Sequence, residues 1–184
     1  CHHTEASARK RFWLSAFGHI DAVVKGGRVW NDVPYPLLII PNANLSYTLQ
    51  KESFALMNPM EFIADNYVSW EAIYYMNGAL FNRLPLIKRL GWREVIDFKG
   101  FYGSLRPGNM PDVTNSHNLF LFPTPTRQTV TERTMLTSTP YMELSFGIAN
   151  IFKVLEVDYV RRLTYLNVPG ISKHGVRIRV HVEF

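Results

Sequence analysis

Apolar and polar side chains alternate one for one over the last ten residues of the chain. Val176, Ile178, Val180, Val182 and Phe184 fall on one face, and Arg177, Arg179, His181 and Glu183 on the other. Successive side chains of a strand point to opposite sides. A strand that alternates without a break and stops on an aromatic residue suits the last strand of an outer-membrane barrel. One side would meet lipid, the other the lumen, and the chain would stop at the inner rim. The five apolar residues are read as a barrel-assembly signal.

The same period marks five earlier segments. In the first, Phe12, Leu14, Ala16, Gly18, Ile20, Ala22 and Val24 share a face opposite Ser15, His19, Asp21 and Lys25. The second runs from about Tyr67 to Leu80, with Val68, Trp70, Ala72, Tyr74, Met76 and Leu80 opposite Ser69, Glu71 and Asn77. The third, about Trp92 to Leu105, sets Trp92, Ile96, Phe98 and Tyr102 against Arg93, Asp97 and Lys99. The fourth, about Tyr141 to Ala149, sets Met142, Leu144, Phe146 and Ile148 against Glu143, Ser145 and Gly147. The fifth, about Leu155 to Leu166, sets Leu155, Val157, Tyr159, Leu163 and Tyr165 against Glu156, Asp158, Arg162 and Thr164. Arg161 falls on the apolar face of the fifth. It is expected near the end of its strand or beside a bulge, because an arginine at a bilayer midplane costs about 2–4 kcal/mol.

The connections alternate in length. Phe81 to Gly91 and Asn150 to Val154 are short, and Gly26 to Asn66 and Arg106 to Pro140 are long. If the terminal strand descends to the periplasm, the short ones are periplasmic and the long ones extracellular, which is the barrel arrangement. The first long loop is too apolar to stand free in water. Pro34, Tyr35, Pro36, Leu37, Leu38, Phe54 and Met57 are expected to fold into the lumen or across its mouth. Arg106 to Ser138 is rich in Pro, Thr and Asn and reads as a surface loop.

With 184 residues, one domain is expected: residues 1–10 a disordered stub, residues 11–184 a barrel segment. Hydrophobic content is 47%, yet no run approaches the roughly 18 apolar residues of a membrane helix. Twelve Phe, nine Tyr and four Trp fit the aromatic girdles of a barrel or a large soluble core. The net charge is +5, but the basic residues are scattered apart from Arg9-Lys10-Arg11 and Arg161-Arg162, so no nucleic-acid partner is expected. Cys1 is the one cysteine, which excludes an internal disulfide. A chain opening on Cys1 suits a fragment of a longer protein, or a mature lipoprotein.

Five blocks carry a resemblance. They are Val33-Pro34-Tyr35-Pro36-Leu37-Leu38, Phe54-Ala55-Leu56-Met57-Asn58-Pro59-Met60-Glu61-Phe62, Leu90-Gly91-Trp92-Arg93-Glu94, Ile148-Ala149-Asn150-Ile151-Phe152-Lys153 and Arg162-Leu163-Thr164-Tyr165-Leu166. In this order they resemble the carboxy-terminal barrel portion of a Bacteroidota outer-membrane family of unknown function. Full-length members of that family usually carry an amino-terminal carboxypeptidase-like regulatory domain. The resemblance spans about Gly18 to Phe184 and implies earlier strands that this chain lacks. More distantly, the chain is similar to the superfamily of barrels that assemble or translocate outer-membrane proteins. There, Val33 to Ala64 would take the place of a loop tucked into the lumen, but the Arg-Gly-aromatic tip usual in such loops is missing.

No catalytic motif is present: no Gly-x-Ser-x-Gly, no His-Glu-x-x-His, no phosphate-binding glycine loop. No enzyme activity, cofactor or metal site is expected. His19, His117, His174 and His181 are widely spread, and His2 and His3 are better explained by an unstructured terminus. Asp97, Lys99, Glu143, Glu156, Asp158, Arg162, Arg177 and Arg179, with Asp21 and Glu71, would face the lumen. There they would form ion pairs that stiffen the wall or line a selective pore.

These readings converge on an all-β, antiparallel up-and-down transmembrane barrel segment of about six strands, from the carboxy-terminal part of a larger barrel of the bacterial outer membrane. Its expected partners are outer-membrane lipid, the barrel-assembly machinery and the missing amino-terminal strands, in a transport or assembly role. The end of a TonB-dependent transporter and a soluble β-barrel or sandwich binding an apolar ligand are the alternatives.

Overall fold

The computed structural model describes residues 2–44, 46, 48, 52–83, 85–110 and 137–180. Seven strands form one antiparallel sheet in sequence order: β1 (His3–Trp13), β2 (His19–Val29), β3 (Asn66–Met76), β4 (Arg93–Ser104), β5 (Tyr141–Ile151), β6 (Leu155–Arg162) and β7 (His174–Val180). The meander is not closed, and β1 and β7 are its edges. Val182 and Phe184 of the expected assembly signal, with His181 and Glu183, lie outside the described residues, as does Cys1. So does most of the second long loop.

The amino-terminal part differs from the sequence reading. Phe12 to Val24 is not one strand but the meeting of two, so the count is seven rather than six. The chain reverses through a 3-10 turn at Ser15–Phe17, and Gly18 takes φ +98° to enter β2. A side chain at Gly18 would lie 1.9 Å from the Tyr75 carbonyl oxygen. The alternation runs in phase through this turn, which hid it. Phe12 of β1 and Ile20 of β2 face each other on one side of the hairpin. Residues 3–10, expected to be a disordered stub, are most of β1. Two strands also stop early: β3 ends at Met76 before Leu80, and β6 at Arg162 before Leu163.

The registers sort the side chains into two faces. Trp70, Phe98, Leu144, Arg161 and His174 mark one face across β3 to β7, because they pair in the chain Trp70–Gly100, Ala72–Phe98–Leu144–Arg161–His174. This outer face also holds Val24, Val68, Phe146, Tyr159, Val176, Ile178 and Val180. It is bare: Phe146 is 55% exposed and Val176 52%. Arg161 sits on it one residue from the end of β6. The one register shift of the β5–β6 pair, between Ile148 and Ile151, lies at the opposite end.

The inner face of β4 to β7 is covered by the described part of the β2–β3 connection, within residues 30–65. Its apolar residues supply the core. Phe54, Met57, Phe62 and Ala64 pack on Phe101 of β4 and Tyr141 of β5. The Phe54 ring meets Tyr141 edge-on, centroids 5.4 Å apart. Leu38 and Ile63 pack with Val29 and Val33, and Leu56 with Val160. Of the residues expected to turn inward, Leu38, Phe54 and Met57 are buried, Pro34 is half-buried, and Pro36 and Leu37 remain at the surface. Tyr35 belongs to a short 3-10 turn, Tyr35–Leu37.

The connections also sort by end. Residues 14–18, 77–92 and 152–154 join strands at one end of the sheet. Residues 30–65, 105–140 and 163–173 join them at the other.

Candidate functional site

The inner face of β4 to β7 is built from charged side chains. Asp97, Lys99, Glu143, Glu156, Asp158, Arg162 and Arg179 are all buried, and Arg177 is half-buried. A strand with apolar residues on one face sends its charges to the other. The strands β4 to β7, in register, therefore collect charge on one surface. The sequence-predicted residues divide here into two sets with different jobs.

The first set holds the loop. Glu143 accepts hydrogen bonds from the Ala55 N–H at 2.9 Å, the Leu56 N–H at 2.7 Å and the Tyr141 hydroxyl at 2.5 Å. A buried loop exposes backbone donors that need acceptors, and this carboxylate supplies two lone-pair sites for them. Lys99 donates to the Ser53 carbonyl at 3.2 Å, and Arg177 donates to the Ala55 carbonyl at 2.5 Å. Arg162 takes Glu61 in a two-point contact, Nη1 at 3.1 Å and Nη2 at 2.5 Å. Its guanidinium lies 4.7 Å from the Tyr141 ring centroid. Nearer the β1 edge, Glu52 receives Arg9 at 2.9 Å and pairs with Lys25. The Lys25 hydrogen bond holds the Glu52 carboxyl below the usual carboxylate range.

The second set lies against the sheet beneath the loop. Arg179 reaches Asp97 at 2.8 Å, Asp158 at 3.0 Å and Glu156 at 3.5 Å. Lys99 reaches Glu71 at 2.7 Å and Asp97 at 3.5 Å. Two cations thus bridge four carboxylates in one network across β3, β4, β6 and β7. Gly147 leaves the room it needs: a Cβ there would lie 2.2 Å from Asp158 Oδ1. Asp21 pairs with Arg11 at 2.6 Å, away from the network.

A third cluster, unforeseen in the sequence, ties the bases of the long connections together. Asp65 is fully buried at the entry to β3. Its Oδ2 accepts from the Arg106 N–H at 2.9 Å, Arg106 Nε at 2.8 Å and Asn109 Nδ2 at 2.8 Å. Arg106 also donates to the Val29 carbonyl at 2.7 Å, and Asn109 Oδ1 accepts from the Val33 N–H at 2.8 Å. Burial, the largest single influence, pushes the Asp65 carboxyl up. The hydrogen bonds from Asn109 and Arg106 together outweigh it and hold the carboxyl below its ordinary value. The three residues lie in loops with no periodic pattern, so no sequence signal marked them.

Between the loop and the inner side of β2 to β4 lies a cavity of about 490 Å³, lined by Leu38, Ile40 and Phe54 on one wall and Lys25, Glu71 and Lys99 on the other. Its lysines are already paired with Glu52 and Glu71. Among the described residues no three His, Cys, Asp or Glu side chains are placed to hold a metal ion. The arrangement is suited to fixing a loop on a charged wall. Comparison of the chain with protein-family models, with curated proteins and with solved structures finds no match.

Proposed function

We propose that this chain is part of the wall of a transmembrane β-barrel of the bacterial outer membrane. In this reading the barrel serves transport or assembly, without enzyme activity, and the 30–65 loop is its internal plug. One observation carries the reading: the sheet is inside out relative to a water-soluble one. Its apolar face is bare from Val24 on β2 to Val180 on β7, while the charged face of β4 to β7 is buried under the loop. A soluble sheet covers its apolar side because exposed apolar area is unfavourable at about 25 cal/mol per Å². In a bilayer the same face meets hydrocarbon, and charges belong on the lumen side. The edges of β1 and β7, the latter bridged at Ile178 by Thr48, would take further strands of the same barrel, because open edges are not tolerated in hydrocarbon.

The paired state of Asp97, Lys99, Glu156, Asp158 and Arg179 supports wall-stiffening ion pairs over an open conducting pore. The apolar-ligand alternative would have to use the cavity under the loop, where the apolar wall of Leu38, Ile40 and Phe54 faces the charges of Lys25, Glu71 and Lys99. The five sequence blocks support the further proposal that the chain belongs to the Bacteroidota family named above.

The test is extraction and gel mobility of the full-length protein. The expected outcome is recovery in the outer-membrane fraction, with faster migration before boiling than after. Recovery in the soluble fraction with no mobility change would overturn the proposal. The upstream gene sequence separates the two barrel readings: a carboxypeptidase-like regulatory domain supports the family, and a plug domain supports a TonB-dependent transporter.

A further inference from the structure

We infer that the short-connection end of the sheet is a seat for anionic lipid headgroups. The inference rests on the membrane reading above and adds a leaflet chemistry to it. Three hairpin connections emerge at this end, because β1–β2, β3–β4 and β5–β6 pair antiparallel. Each presents a large apolar residue to the outside: Phe17 on the first, Leu80 and Leu90 on the second, and Phe152, 84% exposed, on the third.

The second and third connections, with Arg93 at the start of β4, carry only positive charge, and the first carries none. Arg83, Lys88, Arg89, Arg93 and Lys153 are all exposed, and residues 14–18, 77–93 and 150–154 contain no Asp or Glu. The next acid, Glu94, is buried and turned into its own connection, where it accepts the Leu80 N–H at 3.0 Å and the Phe81 N–H at 2.5 Å. Among the described residues no carboxylate pairs with any of the five cations. The opposite end has no such bias, since among the described residues its connections set Asp32, Glu52, Glu61 and Asp65 against Arg106 and Lys173.

Apolar tips beside unneutralised cations are the chemistry of an interfacial segment: the tips enter the acyl boundary and the cations meet phosphates. The occupant is a lipid surface rather than an acidic protein for a geometric reason. The three connections are two strands apart, about 10 Å from one to the next. Their apolar tips continue the bare outer face through Phe12, Tyr74 and Leu155, which lie on β1, β3 and β6. A fluid layer can follow that whole rim together with the face above it.

The test uses the full-length protein, with the strands that complete its barrel, reconstituted in bilayer nanodiscs of phosphatidylcholine alone or with three parts in ten phosphatidylglycerol. The lipids retained on the chain after detergent release are read by mass spectrometry. The expected result is a preference for phosphatidylglycerol of roughly tenfold or more. It should fall with rising NaCl, resist millimolar inorganic phosphate and largely vanish in the R83Q/K88Q/R89Q/K153Q variant. Competition by free phosphate would identify a simple anion site and overturn the lipid assignment. Insertion into both bilayers without a headgroup preference, or a preference indifferent to salt, would overturn this inference alone. Failure to insert into either bilayer would overturn the membrane reading itself, and this inference with it. The salt series needs only the wild-type chain, so it stands even if the variant fails to fold.

Discussion

Arg162 and Glu61 form a fully buried, two-point ion pair between the end of β6 and the loop that crosses the sheet. Glu143 stands opposite Arg162 in the β5–β6 register, and Arg162 Nε also donates to the Thr164 carbonyl at 3.0 Å. Removing one partner leaves a buried charge alone, which typically costs about 3–5 kcal/mol. Replacing both by apolar residues removes that penalty. Arg162→Met should therefore lower the denaturant midpoint much more than the double variant Arg162→Met/Glu61→Met. Equal losses in the two would show that the pair itself, rather than the orphaned carboxylate, sets the cost.

Glu143 governs the middle of the same loop. Its carboxylate is the acceptor for two consecutive backbone N–H groups, those of Ala55 and Leu56. In Glu143→Ala both donors stay buried without a partner, at about 1–3 kcal/mol each. The loop, not the sheet, should respond. Amide exchange should quicken at Ala55 and Leu56 while the β3–β4 amides keep their protection. Uniform acceleration across the sheet would show that the loop and the strands open together.

The difference between these loop contacts and the strands explains what could be seen in the sequence. The outer face of β3 to β7 was legible because a period of two is imposed on every residue of a half-solvated strand, as Val68, Trp70, Ala72 and Tyr74 illustrate. That the first long loop would fold back was also legible, because Leu38, Phe54 and Met57 need cover. Its partners were not. Nothing in the one-dimensional pattern ties Glu61 to Arg162, 101 residues away, or Ser53 to Lys99. β1 was missed for a local reason: Thr4, Ala6, Ala8 and Lys10 face outward beside Phe12. Small and polar residues on that face weaken the alternation that marks the other strands.

Asp65 makes the loop bases sensitive to acid. Its folded-state carboxyl lies below the unfolded value, held there against burial by Asn109 and Arg106. The ionised form therefore contributes stability that is fully present above the unfolded value of about 4. That contribution is lost as pH falls through the lower, folded value. Denaturant midpoints measured from pH 6 down to pH 3 should fall more steeply in the wild-type chain than in Asp65→Asn, with the two curves converging in acid. Parallel curves would remove Asp65 from the acid response.

Phe146 tests the environment of the bare face most directly. It lies within β5, paired with Ile96 of β4 and Tyr159 of β6, and is 55% exposed. Water and hydrocarbon assign opposite consequences to a charge there. On a solvated surface Phe146→Arg changes stability by about 0.5 kcal/mol or less, and solubility improves. Facing lipid, the same change costs about 2–4 kcal/mol near the midplane and less toward either interface. Arg161 provides the internal control, since it already places a guanidinium on this face one residue from the end of β6, where the cost is small. Unfolding of the bilayer-reconstituted full-length protein should show the large loss for Phe146→Arg and almost none for Arg161→Lys. A Phe146→Arg chain as stable as wild type would mean that water, not lipid, touches this face.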